Sequence, residues 1–181
     1  KNENEKMCVE ICLTKDKNCF LLPIHGQSFY MWVQDVKNPD ETVELKYDPN
    51  KSGSAKVNRT LIQLDYGEEK IVKGYTITDN IYAGGNYLMK GKFLSTIDSG
   101  KFHTNEGMIG LVFRGSKNDE KMSFINQLYN NGLIFHKMFT QKFTNSEQGI
   151  IDFGKMPKIV LQDYAHYGRC NALNKFINGR Q

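Results

Sequence analysis

The chain has 181 residues, the length of one domain, and can bury about 70% of the surface of its unfolded form. Its 39% hydrophobic and 12% aromatic content is typical of a globular, β-rich protein, and a net charge of +4 over scattered basic residues argues against nucleic-acid binding. A basic group near the C-terminus is interpreted as part of a solvated tail: Arg169, Lys175 and Arg180. No apolar run reaches the roughly 18 residues of a membrane span. The start at Lys1, without a methionine or an apolar signal region, indicates a mature or trimmed form.

The first half of the chain has the period of β-strands. Apolar residues alternate with other residues at Met7, Val9, Ile11 and Leu13, which predicts a half-buried first strand. Residues 14–18 form a polar turn, and residues 19–24 return as the second arm of a hairpin. Residues 60–66 and 71–78 predict a second hairpin, and residues 83–86 indicate another turn.

The pattern changes to helical spacing after residue 119. Apolar residues recur there at Met122, Ile125, Leu128 and Tyr129. This spacing predicts one short helix near 119-131, with Gly132 as its C-terminal cap. No internal repeat or low-complexity linker divides the chain, so the predicted fold class is all-β with one short helix.

Several segments of the chain resemble one known family. Residues 20–33 form an apolar run that leads through His25-Gly26-Gln27-Ser28 to Trp32-Val33. Further segments follow in order: Tyr47-Asp-Pro-Asn-Lys-Ser, Leu64-Asp-Tyr-Gly, Glu106-Gly-Met-Ile-Gly-Leu, the helix and its exit at residues 123–134, and Gln148-Gly-Ile-Ile-Asp-Phe-Gly. Order and spacing together resemble the N-terminal lobe of pepsin-like aspartic proteases over residues 6–165; single motifs would carry much less weight.

The resemblance implies an architecture. It predicts a single pepsin-like lobe, a distorted β-barrel or sandwich with a flap hairpin that closes over a cleft. Residues 1–165 would form this lobe, and residues 166–181 a C-terminal tail or a crossover toward a missing second lobe. The cleft and flap would be formed by His25, Ser28, Trp32, Tyr66 and Gly67.

The catalytic motif of that family is degenerate in this chain. Where the family has Asp-Thr-Gly-Ser, the chain has His25, Gly26, Gln27 and Ser28, of which only the serine is retained. Aspartic proteolysis needs two carboxylates that share one proton, and an imidazole cannot replace one of them symmetrically. We therefore predict no catalytic residue, no cofactor and no enzymatic activity. The Asp98-Ser99-Gly100 segment spells a related motif, but its context is that of a polar turn.

Two other roles are open to the cleft residues. His25 lacks ligand spacing to His103, His136 and His166, so no metal site is predicted. Tyr66 either lies over a bound peptide or packs its ring on Trp32 inside the lobe. Glu68 and Glu69 replace small flap residues of the family, which argues against a close-fitting peptide clamp or favours basic ligands.

The cysteines and one N-glycosylation sequon are relevant to the cellular compartment of the protein. Cys12 and Cys19 flank the first turn and can face each other, which would leave Cys8 to pair with Cys170; buried free thiols are the alternative. Asn58-Arg59-Thr60 is an N-glycosylation sequon at Asn58. The resemblance implies a secreted protein or one of the secretory or vesicular compartments.

Two functions therefore compete. The favoured one is a non-catalytic binding or scaffolding module that engages another protein chain or second lobe at the interlobe face, with a peptide as a further candidate ligand. The alternative is one subunit of a split or dimeric aspartic protease whose working aspartate comes from another chain.

Overall fold

The computed structural model describes residues 7–14, 19–26, 28–67, 70–102, 106–112, 116–143 and 149–155. Nine strands are present there: β1 Cys8–Cys12, β2 Cys19–His25, β3 Trp32–Gln34, β4 Lys56–Asp65, β5 Ile71–Ala83, β6 Asn86–Asp98, β7 Gly107–Gly110, β8 Phe139–Phe143 and β9 Gly149–Phe153. A short 3-10 helix spans Pro49–Lys51, and two α-helices follow β7, α1 Lys117–Met122 and α2 Phe124–Asn130. The all-β prediction is confirmed.

Seven strands form one sheet that bends back on itself. Their order is β1-β2-β7-β3-β6-β5-β4, and β1 also meets β5 where Cys12 faces Tyr82. Two of the pairings are parallel, β2 with β7 and β3 with β6, while the hairpins β1–β2, β4–β5 and β5–β6 are antiparallel. β8 and β9 form a separate antiparallel pair. The closure between β1 and β5 gives the distorted barrel that the resemblance implied.

The buried apolar side chains form two clusters, which lie on opposite faces of the strands. Successive residues of a strand point to opposite sides, so Val33 enters the main core while Trp32 enters a second cluster with Val72, Leu94 and Met108. α2 covers the main core with its buried residues Phe124, Ile125 and Leu128. The second cluster lies under the β4–β5 hairpin, because Ile62, Leu64 and Tyr66 pack against it.

The helix predicted near 119-131 is present as two consecutive helices. Ser123 ends α1 and also caps α2, where its side chain accepts a hydrogen bond from the backbone N–H of Asn126. Ser123 has extended backbone angles, which interrupts the helical ladder. Gly132 follows the α2 cap with a positive φ of 71°, as expected for a helix C-terminus.

The buried carboxylate of Asp79 holds the segment that precedes β4 against strand β5. Asp79 of β5 is fully buried and accepts a hydrogen bond of 2.7 Å from the Tyr47 hydroxyl. Ser54 donates a further hydrogen bond to the other carboxylate oxygen. Burial, followed by the bond to Asp79, raises the pKa of Tyr47 far above its ordinary value, so this phenol stays neutral.

The disulfide prediction is confirmed for Cys12 and Cys19, which face each other across the β1–β2 hairpin and are bonded. Cys170, and with it the predicted pair with Cys8, lies outside the described residues, as do the basic residues of the tail and the whole segment 166–181. No helix in the described part of the chain is long and apolar enough to cross a membrane.

Candidate active-site loop and flap

The degenerate motif lies at the end of β2, held against β7. His25 is the last residue of β2 and faces Gly110 in the parallel register. Three backbone hydrogen bonds fix the loop that follows: Leu111 N–H to His25 O at 3.1 Å, Val112 N–H to Ser28 O at 2.9 Å, and Gly110 N–H to Tyr30 O at 3.0 Å. The loop backbone is therefore positioned by the strand that carries the Glu106–Gly110 motif.

The two glycines of that motif are required by close backbone approach. A Cβ placed on Gly110 would lie 2.4 Å from the carbonyl oxygen of Ser28, and one on Gly107 would lie 2.1 Å from that of Trp32. Any larger residue would push the His25 loop or β3 away from β7. The two glycines of the motif thus mark the points at which β7 packs closely against β3 and against the His25 loop.

The flap tyrosine contacts this loop directly. Ser28 is only 3% exposed, and its hydroxyl shares a hydrogen bond of 2.9 Å with the hydroxyl of Tyr66. The Ser28 hydroxyl also accepts a bond from the backbone N–H of Tyr30 at 3.2 Å. The rings of His25 and Tyr66 meet edge to face with centroids 5.9 Å apart. Tyr66 therefore lies against His25 and Ser28, the first and last residues of the segment that resembles the family's catalytic motif.

Phe102 completes the contact beneath the flap. Its ring packs edge to face on Tyr66, with centroids 5.2 Å apart, and on Trp32, with centroids 5.7 Å apart. Trp32 is fully buried and Tyr66 packs against its cluster. Of the two roles predicted for Tyr66, the structure shows its ring packed in the lobe against the cluster of Trp32. Phe102 was not predicted as a site residue, because an isolated aromatic after a polar turn carries no motif.

Burial sets the protonation of the flap tyrosine. It raises the pKa of Tyr66, and the interactions of the phenol with Ser28 and Trp32 act in the opposite direction. At neutral pH the hydroxyl is therefore protonated, so it can donate or accept in its bond with Ser28.

A second link ties the loop to α1. The Tyr30 hydroxyl donates a hydrogen bond of 3.0 Å to Asp119, the same residue that forms the α1 capping box with Ser116. Desolvation, followed by this bond and the charge of Asp119, raises the pKa of Tyr30 to about 12. No local sequence pattern predicts this contact, because 89 positions separate the two residues.

The remaining predicted site residues are placed as follows. Gly26 is exposed, whereas Gln27, Glu68 and Glu69 lie outside the described residues. Gly67 turns the flap with a φ of 77°, and its N–H donates to Asp65 at 2.8 Å. Asn58 is exposed in β4.

Asp98-Ser99-Gly100 is a turn, as predicted. The backbone N–H of Gly100 donates to Asp98, which also pairs with Lys73 at 3.1 Å. The bond from Gly100, followed by that from Lys73, lowers the pKa of Asp98. This carboxylate therefore serves the turn and a surface ion pair.

The described part of the chain brings together few side chains that could bind a metal ion. The one group there with enough potential ligands is Glu10, Cys12 and Cys19, and its two sulfurs are joined in the disulfide. His136 is exposed, whereas His103 and His166 lie outside the described residues. The loop itself presents an imidazole, a hydroxyl and a phenol, which can bind by hydrogen bonds. The hydrogen bonds that join Ser28 to Tyr66 and to the backbone of Tyr30 involve no carboxylate.

Comparison with known families agrees with the geometry of the loop and the flap. The family model for eukaryotic aspartyl protease matches residues 9–170, which is most of the chain. Members of this pepsin-like family are typically secretory or vesicular, and the disulfide is compatible with such compartments. No curated protein matches the chain. The chain belongs to the eukaryotic aspartyl protease family.

Proposed function

We propose that this chain is a non-catalytic, aspartic-protease-like module that binds or scaffolds a protein partner within the secretory or vesicular system. The observation that carries the proposal is the histidine at the end of β2. His25 stands opposite Gly110, in the loop where a pepsin-like enzyme has its aspartate, and Tyr66 covers it.

The chemistry of this loop argues against peptide hydrolysis. In an aspartic protease one carboxylate takes a proton from water while the other protonates the scissile carbonyl. An imidazole at residue 25 has a different shape and charge in both protonation states. Gly26 also lacks the hydroxyl of the family's threonine. Loss of one member of a cooperating catalytic set removes on the order of four or more decades of rate.

The packing of the flap favours a protein partner over a peptide in the cleft. A peptide entering beneath the flap would have to displace Tyr66 from Ser28, His25 and Phe102. That displacement would break a hydrogen bond and two ring contacts, each worth about 0.5–1.5 kcal/mol. A surface outside the cleft carries no such cost.

Such a surface is available near the end of the lobe. Phe135 is 87% exposed, and Leu133 is also exposed, on either side of the buried Ile134. Ile134 packs closely on Gly154 at the end of β9, the last described strand before the segment that resembles the interlobe crossover. β9 itself exposes Ile150. We take these residues as the interlobe face, where an apolar protein surface would bind.

The binding proposal is tested by surface substitution. Native protein is purified under mild conditions, its bound chain is identified by mass spectrometry, and the complex is reconstituted with Phe135→Ser and Leu133→Ser variants. We expect at least a tenfold loss of affinity for the double variant. Tyr87→Ser is the matched control, because this aromatic is exposed elsewhere in β6. Unchanged binding by the double variant, or a lone native monomer, would count against this face.

The proposal that the chain is non-catalytic is tested by restoring the family's Asp-Thr-Gly motif at residues 25–27. A His25→Asp variant, and a triple variant that adds Gly26→Thr and Gln27→Gly, are assayed with a broad peptide library with and without pepstatin. We expect no pepstatin-sensitive cleavage from either. Cleavage by the single variant would overturn the account of the loop. If instead the native partner carried an Asp-Thr-Gly or Asp-Ser-Gly lobe and the complex cleaved peptides, the split-protease alternative would replace our proposal.

A further inference from the structure

The sequon of this chain begins at the third residue of the long strand β4, with its acceptor side chain at the surface. Asn58, Arg59 and Thr60 are all exposed within β4. The side-chain oxygen of Asn58 accepts a hydrogen bond of 3.1 Å from the backbone N–H of Thr60. This local turn engages the oxygen of the amide, while its nitrogen donates no hydrogen bond within the described residues.

The strand is irregular at this point. Asn58 pairs with Thr76 and the next register pair is Leu61 with Tyr75, so two residues of β4 lie opposite no partner in β5. A bulge of this kind bends a strand and turns side chains away from the sheet. A bulky group attached to Asn58 therefore has room outside the β4–β5 ladder.

β4 is also the last strand of the sheet. In the described part of the chain it pairs only with β5, which leaves its other edge unpaired along ten residues. The exposed apolar residues Val57 and Leu61, at 46% and 52%, lie on either side of the sequon. A long edge with exposed apolar residues is a template for pairing with another copy of the chain. The charges of Lys56 and Arg59 on the same strand oppose this pairing only in part.

We infer that Asn58 is an N-glycosylation site, and that its glycan covers the free edge of β4 and prevents strand-to-strand pairing between two copies of the chain. The inference rests on the proposed secretory residence and is independent of catalysis and of the interlobe face. In the transfer, the Asn58 amide nitrogen forms a bond to the anomeric carbon of a lipid-linked oligosaccharide. The bond from that carbon to the polyprenyl diphosphate breaks, the diphosphate leaves with its electron pair, and the amide nitrogen loses one proton. No electron transfer is involved.

Site occupancy is measured on the full chain directed into the secretory pathway of a eukaryotic cell by a supplied signal peptide. Peptide N-glycosidase in heavy-oxygen water is expected to convert Asn58 to a labelled aspartate and to lower the apparent mass by one glycan. Asn58→Asp, which keeps the acceptor for the Thr60 N–H, and Thr60→Val should both lose this shift. Thr60→Ser should retain it. Secreted chain with an unmodified Asn58 would overturn the inference.

The edge-covering role is measured by sedimentation of the same proteins. An uncharged variant, Asn58→Gln, also removes the acceptor and is expected to raise the weight-average mass toward twice that of its own monomer at equal concentration. Adding Leu61→Lys, which places a charge on the same edge, should reverse this rise. An Asn58→Gln chain that stays monomeric, lighter than the glycosylated chain only by the missing glycan, would refute the edge-covering role. A rise that Leu61→Lys does not reverse would also refute it. Neither outcome bears on partner binding at Phe135, so the two proposals are tested separately.

Discussion

Substitution of Gly110 by alanine tests whether β7 positions the loop that carries His25. The added carbon would lie 2.4 Å from the Ser28 carbonyl oxygen and 2.8 Å from the Tyr30 nitrogen. Both atoms belong to the backbone, so the conflict can be relieved only if the loop moves. That movement stretches the hydrogen bonds from Gly110 N–H to Tyr30 O and from Val112 N–H to Ser28 O.

The expected magnitude follows from these two effects. Overpacking of a tight site costs about 1–3 kcal/mol, and loss of one buried hydrogen bond adds about 1 kcal/mol, so Gly110→Ala should destabilise by about 2–4 kcal/mol. For a domain of this size, that change lowers Tm by roughly 4–16 °C. The Ser28–Tyr66 hydrogen bond should weaken as well, because Ser28 is one of the displaced residues.

Thermal and urea unfolding can be followed through the one tryptophan of the chain, the fully buried Trp32, whose fluorescence changes when it reaches water. Gly26→Ala is the matched control, because it lies in the same loop and a Cβ there would meet nothing within 4 Å. We expect the control to change stability by no more than about 0.5 kcal/mol. Equal unfolding midpoints for the two variants would refute the claim that close packing on β7 holds the loop.

Three further predictions concern the support of the lobe. Tyr47→Phe removes the donor to the buried Asp79 carboxylate and should cost about 1–3 kcal/mol in urea unfolding; an unchanged midpoint would show that this bond is dispensable. Joint replacement of Cys12 and Cys19 by alanine opens a short loop and should cost about 2–3 kcal/mol, with no loss on adding reductant to the variant, whereas the parent should lose stability under reduction. Tyr30 has a folded-state pKa raised from 10.0 to about 12, so its contribution to stability is present below pH 10.0 and is lost as the pH rises toward 12. Tyr30→Phe should therefore flatten the alkaline decline in stability, and an equally steep decline in the variant would contradict this assignment.

Local sequence patterns were sufficient for many elements of this lobe. Alternating residues predicted β1, and the β-rich runs around the flap turn predicted the β4–β5 hairpin, although both strands extend beyond the predicted bounds. The helical spacing after residue 119 was recognised, but the break at Ser123 was missed. A serine within an apolar helical pattern does not by itself show that it caps a second helix.

What the sequence by itself determined is which residues occupy the His25 loop and that two glycines lie in the segment of residues 106–110; why those glycines must be small was decided by the structure. The histidine and the glycines at 107 and 110 can be read without coordinates, because each is a statement about one residue type at one position. The tertiary structure alone decided that Phe102 lies between Trp32 and Tyr66 and that Tyr30 reaches Asp119. Periodicity tells which face of a strand is buried, but the neighbour that buries it depends on strand order and on the parallel pairings made far along the chain.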